Sequence, residues 1–327
     1  MDTKAVSANS VGEYFHVNGS QLSQHYKNHL SGYCDWAQLE HAEDWVLFPE
    51  NIGERLCLDE VALSDGELYT ILTNAGARCQ KGSLIAMVKG VKSKDVIKVV
   101  SMIPLEQRSK VKEISVDMAN NMEKIATTCF PSASVVTDRF HVAKLITEAV
   151  QEIRIAFRWE AIKEENALVK QAKKEGRKHS PATYENGDSK KQLLARSRYL
   201  LFKPEHKWSG SQKLRGKILF REFPEIKKAY GLSMMFRNIY ETAYNREDAV
   251  KKFISWYKKV SKYNMDSFIT AAQSIYSHRD TILNFFNYRT TNALAESFNS
   301  KIKAFRSVFR GVRDLGFFIY RVSLIFG

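Results

Sequence analysis

The feature that most constrains this chain is a change of hydrophobic period near residue 140. Between residues 54 and 140 the apolar residues fall in short runs of strand length, separated by turns and two amphipathic helical stretches; beyond 140 nearly every segment has helical spacing. Arg55–Ala62 reads as a first strand, Ser64–Glu67 as a turn, Leu68–Thr73 as a second strand and Ser83–Lys89 as a third. Lys94–Ile103 is helical, Glu113–Asp117 is a fourth strand, Met118–Cys129 a helix and Ser134–Asp138 a fifth strand. Three antiparallel strands followed by two strand–helix–strand crossovers predict an α/β fold, a five-stranded mixed sheet with flanking helices and right-handed connections. The first 53 residues read as a small helical region, with helices over Ser20–Leu30 and within Trp36–Trp45. With 327 residues the chain has room for two domains, or one domain with a large insertion.

Charge narrows the partners. Fifty Lys/Arg face 36 Asp/Glu, a net +14 that suits a polyanion. Residues 1–53 are net −5, so a helix-turn-helix there, although the spacing allows one, is a poor grip for DNA on its own. Between Lys190 and Lys217 nine Lys/Arg face the single acid Glu205 and interleave with Tyr199, Phe202 and Trp208. Phosphate neutralisation with base stacking, through Arg196, Arg198 and their neighbours, is one reading; a helical surface with buried aromatics is the other. No apolar run approaches the ~20 residues that span a bilayer, and the N-terminus carries no signal-peptide pattern, so no membrane partner is expected. The four cysteines lack CxxC spacing, which argues for reduced thiols rather than a zinc ribbon or a disulfide framework. His25 and His29, with Cys34 nearby, have metal-ligand spacing but read more readily as ordinary surface residues.

The chemistry points to acids at strand ends. If the first strand pairs with the second on one side and with the parallel fourth on the other, the direction of connection switches between them, where open α/β sheets bind ligands. Asp59 lies late in the first strand and Asp117 ends the fourth, which offers two oxygen donors to a hard divalent ion such as Mg2+. Asp117 could equally cap the next helix. Asp59 is harder to explain as structure, because Asp59-Glu60 interrupts an apolar strand. Asp138, ending the fifth strand, is a third candidate, as a cap or beside the site. Near the C-terminus Asn292, Glu296, Asn299, Lys303, Arg306 and Arg310 recur at steps of four and three on one helical face, while Phe298, Ile302, Phe305 and Phe309 form an apolar face. A metal-binding carboxylate followed by cations that track phosphates suits nucleic-acid cleavage, and a solvated amphipathic helix explains the same spacing.

Leu58-Asp-Glu-Val, Val116-Asp-Met-Ala-Asn, the block Phe130–Val142 with its Asp-Arg-Phe-His, and the run Arg289–Arg313 with its Asn-x-x-x-Glu-x-x-Asn together resemble the DDE transposases of bacterial insertion sequences, of the ISL3 family. The resemblance runs from about Leu56 to the C-terminus. It implies an RNase H-like core (54–140), a large all-helical insertion (141–285) and a catalytic C-terminal helix region (286–327) that completes the core. It implies Asp59, Asp117 and Glu296 as the acids, with Asp138 the alternative second acid and strand order favouring Asp117. Two Mg2+ ions, with Mn2+ as a substitute, would be bridged by Asp59 and shared with Asp117 and Glu296. Asn292, Asn299, Lys303, Arg306 and Arg310 would contact DNA. The implied reaction is cleavage at insertion-sequence ends followed by strand transfer into double-stranded target DNA. The implied setting is the bacterial cytoplasm at the nucleoid, with a homodimer or larger assembly on DNA. Many relatives carry a cysteine-rich zinc module and a helix-turn-helix ahead of the core; here a segment of about fifty residues with a net negative charge stands there, so a separately encoded DNA-binding protein is a further expected partner. The competing functions are a structure-specific nuclease or resolvase using the same acids, and an inactive DNA-binding regulator.

Overall fold

The computed structural model describes residues 1–63, 67–289, 293–308 and 314–327. The chain divides into two compact units: Met1–Arg139 with Tyr288–Gly327, and Phe140–Asn287.

The first unit is built on a mixed six-stranded sheet, β1 Trp45–Leu47, β2 Arg55–Ala62, β3 Leu68–Asn74, β4 Leu84–Lys89, β5 Glu113–Val116 and β6 Ser134–Thr137, in the order β1-β4-β3-β2-β5-β6. The expected pairing around the first long strand holds: β2 is antiparallel to β3 and parallel to β5, and β5 is parallel to β6. Five strands were expected and six are present among the described residues. The extra one, β1, lies in the segment read as helical; the short helical turn expected within Trp36–Trp45 is present at Leu39–His41, and the chain then passes into β1. Three residues are too few to show a period of two. Pairing with β4, Trp45 opposite Val88 and Leu47 opposite Ala86, makes them a strand and joins the N-terminal region to the sheet.

Helices α1 Ala8–Phe15 and α2 Gly19–His25 precede the sheet; α3 Ser93–Val100, α4 Leu105–Arg108 and α5 Asn120–Cys129 lie between its strands. The alternation of β2 divides the core into two layers. Leu56 and Leu58 pack with Val96, Val99 and Val100 of α3 and Met122, Ile125 and Ala126 of α5. Val61 packs on the other face with Phe298, Ile302 and Phe305 of α13 (Ala293–Val308) and Phe318, Ile319 and Val322 of α14 (Leu315–Phe326). Arg321 interrupts the apolar α14 and is fully buried; its guanidinium donates to the carbonyl oxygens of Met1 (2.6 Å) and Lys4 (3.3 Å), which ties the first residues to this helix.

The second unit is helical throughout its regular structure: the 36-residue α6 (Arg139–Lys174, beginning at the boundary), α7 Lys190–Arg196, α8 Gly210–Glu222, α9 Pro224–Thr242, α10 Arg246–Tyr263, α11 Asp266–Ser277 and α12 Arg279–Tyr288. α7 and α8 each begin with a reciprocal cap, Ser189 with Gln192 and Ser209 with Gln212, which satisfies backbone donors at the start of each helix. Its centre is aromatic, with Trp256 buried beside Phe236 at 5.0 Å. Among the described residues no helix is long and apolar enough to cross a membrane.

Candidate active site

Three aspartates reach one level of the sheet for a reason of register. Cys57 stands opposite Ser115, so two residues further along these parallel strands Asp59 falls level with Asp117. Val116 stands opposite Thr137, so the next pair is Asp117 and Asp138, and the Asp138 N–H donates to the Val116 carbonyl at 2.7 Å. Asp59, Asp117 and Asp138 thus form a row across the C-terminal ends of β2, β5 and β6. Asp138 is 4% exposed and Asp59 and Asp117 are half-buried.

Each aspartate is oriented locally. Asp59 Oδ1 accepts from the Glu60 N–H at 2.8 Å, and Oδ2 accepts from Asn299 Nδ2 at 2.8 Å. Asp117 Oδ1 accepts from the Ala119 N–H at 2.9 Å, a local turn at the strand end; α5 has Ala119 as its N-cap and no side-chain capping bond, so Asp117 is not the helix cap its position allowed. Glu60 points the other way; burial raises its carboxyl above the usual range, the charge of Asp117 adds to this, and a hydrogen bond with Asn121 opposes it. Cys57, two residues before Asp59 on the same face, is buried, and its thiol is pushed up to about 12 by burial first and then by the charges of Asp59 and Glu113, with Asp138 contributing.

α13 brings the late acid toward this row. Ala295, Phe298, Asn299, Ile302 and Phe305 are all buried, a stripe at steps of three, one, three and three that faces the sheet. Asn299, assigned from its spacing to the DNA-facing side, is 8% exposed and holds Asp59; its amide also donates to the Glu60 carbonyl at 3.2 Å. Its position one residue after Phe298 and three before Ile302 was the signal for burial. Glu296, one turn earlier, is exposed, while its neighbour Ala295 hydrogen-bonds Cys57 through the backbone. Lys303 is exposed and Arg306 half-buried. Asn292 and Arg310, like Phe309, lie outside the described residues. The structure therefore brings Asp59, Asp117 and Asp138 together and leaves the Glu296 side chain toward solvent. Among the described residues no three His, Cys, Asp or Glu side chains stand close enough to hold a metal ion, His25, His29 and Cys34 included.

Four of the nine cations of the basic stretch 190–217 have ion-pair partners within the second unit. Lys190 pairs with Glu164 at 2.7 Å and Lys191 with Glu165 at 3.0 Å. Arg196 and Arg215 both pair with the fully buried Asp188; burial alone would raise that carboxyl, and the hydrogen bonds from Arg215 and Arg196 hold it below its ordinary value. Arg198 lies over the Tyr199 ring at 5.5 Å. Trp208 is core, donating its indole N–H to the Leu200 carbonyl at 2.8 Å, so of the three interleaved aromatics Tyr199, 65% exposed, is the one most open for stacking.

A family model described as Transposase (DDE_Tnp_ISL3) matches residues 56–322. Curated relatives include the transposase for insertion sequence element IS1557 from two Mycobacterium tuberculosis strains, CDC 1551 / Oshkosh and ATCC 25618 / H37Rv. Each is 24% identical over 212 residues, which is 64% of this chain and 46% of the relative. The chain thus spans about half the length of the curated relatives it matches.

Proposed function

The chain belongs to the ISL3 family of transposases, and on that premise we propose that it cuts DNA at the ends of an insertion sequence and joins the freed ends to target DNA by a DDE mechanism. In this reading the six-stranded unit is an RNase H-like core and Phe140–Asn287 is its helical insertion. The catalytic acids are Asp59, Asp117 and Glu296. The observation that carries the reading is the pair Asp59 and Asp117, level with each other on adjacent parallel strands, with α13 bonded to Asp59 through Asn299.

The donor set suits a hard divalent ion in kind, carboxylates from two strand ends and one helix, with Asp59 and Asp117 level on adjacent strands. Mg2+, held by Asp59, Asp117 and Glu296 when all three converge, would supply a nucleophile active near neutral pH and stabilise charge at the reacting phosphodiester. The chain's own residues do the rest. Asn299 fixes the rotamer of Asp59, so that one carboxylate oxygen keeps a constant direction as the site fills. Lys303 and Arg306, one and two turns beyond Asn299, hold backbone phosphates and set the strand in line. Water attacks the scissile phosphodiester and leaves a 3′-hydroxyl, which then attacks a phosphodiester of the target in a transesterification of the same geometry.

The test is Asp59→Asn. The variant is expected to bind end-containing duplex DNA as the parent does, and to yield neither nicked ends nor joined product in Mg2+. Undiminished cleavage would remove Asp59 from the catalytic set. A parent chain that cuts ends but never joins them would make it a nuclease or resolvase, and one that binds without cutting in Mg2+ or Mn2+ would make it a regulator.

A further inference from the structure

In the second unit an open pocket of about 480 Å³ lies between the C-terminal half of α10 and α11, within the size range of small-ligand sites. α10 contributes Tyr257 and Ser261, its C-cap residue Asn264 follows, and α11 contributes Gln273 and Tyr276. Tyr257 and Tyr276 meet edge to face with centroids 6.2 Å apart, and the Arg279 guanidinium lies 4.7 Å from the Tyr276 ring centre. Tyr276 is nevertheless 58% exposed, and it lines the pocket together with the amides Asn264 and Gln273.

The charge beside the pocket is one-sided. Between Asp248 and Asp266 α10 carries five lysines and no acid. Lys251, Lys258 and Lys262, at steps of seven and four, fall on one line of the helix adjacent to that of Tyr257 and Ser261, about 10 Å and 6 Å apart along the axis. All three are exposed, and among the described residues none has a carboxylate within salt-bridge range, unlike the paired Lys190, Lys191 and Arg196.

We propose that this pocket is a nucleobase site: it receives a base unstacked from a DNA strand, with the flanking phosphates along Lys251, Lys258 and Lys262. Tyr276 offers the stacking face, Asn264 and Gln273 offer donors and acceptors to a base edge, and the lysine line supplies the salt-dependent part of the grip. The proposal rests on the reading that the chain works on DNA, and it adds a strand-holding site within the second unit.

The experiment is an anisotropy titration of the full chain with a labelled oligothymidine of about 15 nucleotides, within the range a single-strand groove covers. Tyr276→Ala is expected to weaken binding roughly tenfold without changing the salt dependence, because one stacked base contributes about 1–3 kcal/mol. Tyr276→Phe is expected to bind as the parent does. Lys258→Gln with Lys262→Gln is expected to flatten the plot of log affinity against log salt, by roughly 0.7 per lysine on a single strand. Photocrosslinking of a 5-iodouracil oligonucleotide to the unmutated chain is expected to label the peptides spanning 257–277, a readout independent of whether a variant folds. Unchanged binding by a Tyr276→Ala variant that melts like the parent overturns the proposal, as do crosslinks confined to other peptides. A Tyr276→Ala variant altered in self-association but not in DNA binding makes the pocket a protein contact and equally overturns it. A parent chain that binds neither single-stranded nor duplex DNA takes down the function proposed above, whereas one that binds duplex but shows no Tyr276 effect takes down the pocket alone.

Discussion

At the scale of single residues the site depends on one amide. Asn299 donates to Asp59 Oδ2 and the Glu60 N–H donates to Oδ1, so the amide from α13 fixes the oxygen that the strand's own backbone does not. Asn299→Ala is expected to lower the cleavage rate roughly ten- to a hundredfold, the usual effect of losing a residue that orients a ligating carboxylate, with DNA affinity unchanged. Single-turnover cleavage beside a binding titration checks it, and a loss in affinity with a normal rate would return Asn299 to the DNA-contacting set. Glu60 gives a pH prediction. Its folded carboxyl is raised from 4.5 by burial and by Asp117, so the folded state holds the proton more tightly than the unfolded one. The stabilisation is full below about pH 4.5 and lost as pH rises through the folded value. Glu60→Gln is therefore expected to raise the melting temperature at pH 7 and to leave it unchanged near pH 4. Asp59 was legible in the sequence because an acid inside an apolar strand needs a reason. The role of Asn299 was not, because an amide suits a solvated face and a buried bond equally well until its Phe298 and Ile302 neighbours are seen to point inward.

At the scale of elements, the five strands with enough residues to show alternation were legible, and so was the switch to helix at 140. β1 was not, because three residues acquire a strand identity from β4, some forty positions away. The row of aspartates is likewise a property of pairing: Asp59 and Asp117 become neighbours through the register of β2 and β5, which local pattern only suggests. α13 shows how an element carries a site. Its buried stripe docks the helix, and the docking sets where Asn299 and Glu296 stand relative to β2. Phe298, 1% exposed, immediately precedes Asn299 and follows Glu296 by two residues. Phe298→Ala is expected to destabilise the fold by about 3–5 kcal/mol, the cost of a large aromatic cavity. It is also expected to abolish cleavage at temperatures where the chain remains folded, because α13 loses its register on the sheet. Thermal melting and a cleavage assay at matched folded fraction check this, and full activity in the folded fraction would show that α13 is placed by other contacts.

At the scale of the whole molecule, the +14 that pointed to a polyanion is not shared out evenly. The unit carrying the acidic row has 21 Lys/Arg against 20 Asp/Glu, and the helical unit 29 against 16, so nearly all the net charge lies in Phe140–Asn287. The sequence showed the excess, but not that part of it in 190–217 is used up in ion pairs, since pairing partners such as Glu164 and Asp188 are settled only by the fold. On the proposed function, the division has a consequence for how DNA would be held. Phosphates are drawn to the helical unit by its own charge over roughly a Debye length, about 8–10 Å in ordinary buffers, whereas three aspartates at one level of a nearly neutral unit repel them. With no divalent ion present, removing a carboxylate from that row removes repulsion and no attraction. Asp59→Asn and Asp117→Asn are therefore expected to bind duplex DNA in EDTA as tightly as the parent or a few-fold more tightly. That gap should widen at low salt, where exposed charges are least screened, and close when Mg2+ is added, because the parent's acids are then neutralised by the ion. Titrations at two salt concentrations, with and without Mg2+, decide the matter: weaker binding by both variants in EDTA would mean that the acidic row itself helps to hold DNA, and the division of labour between the two units would fail.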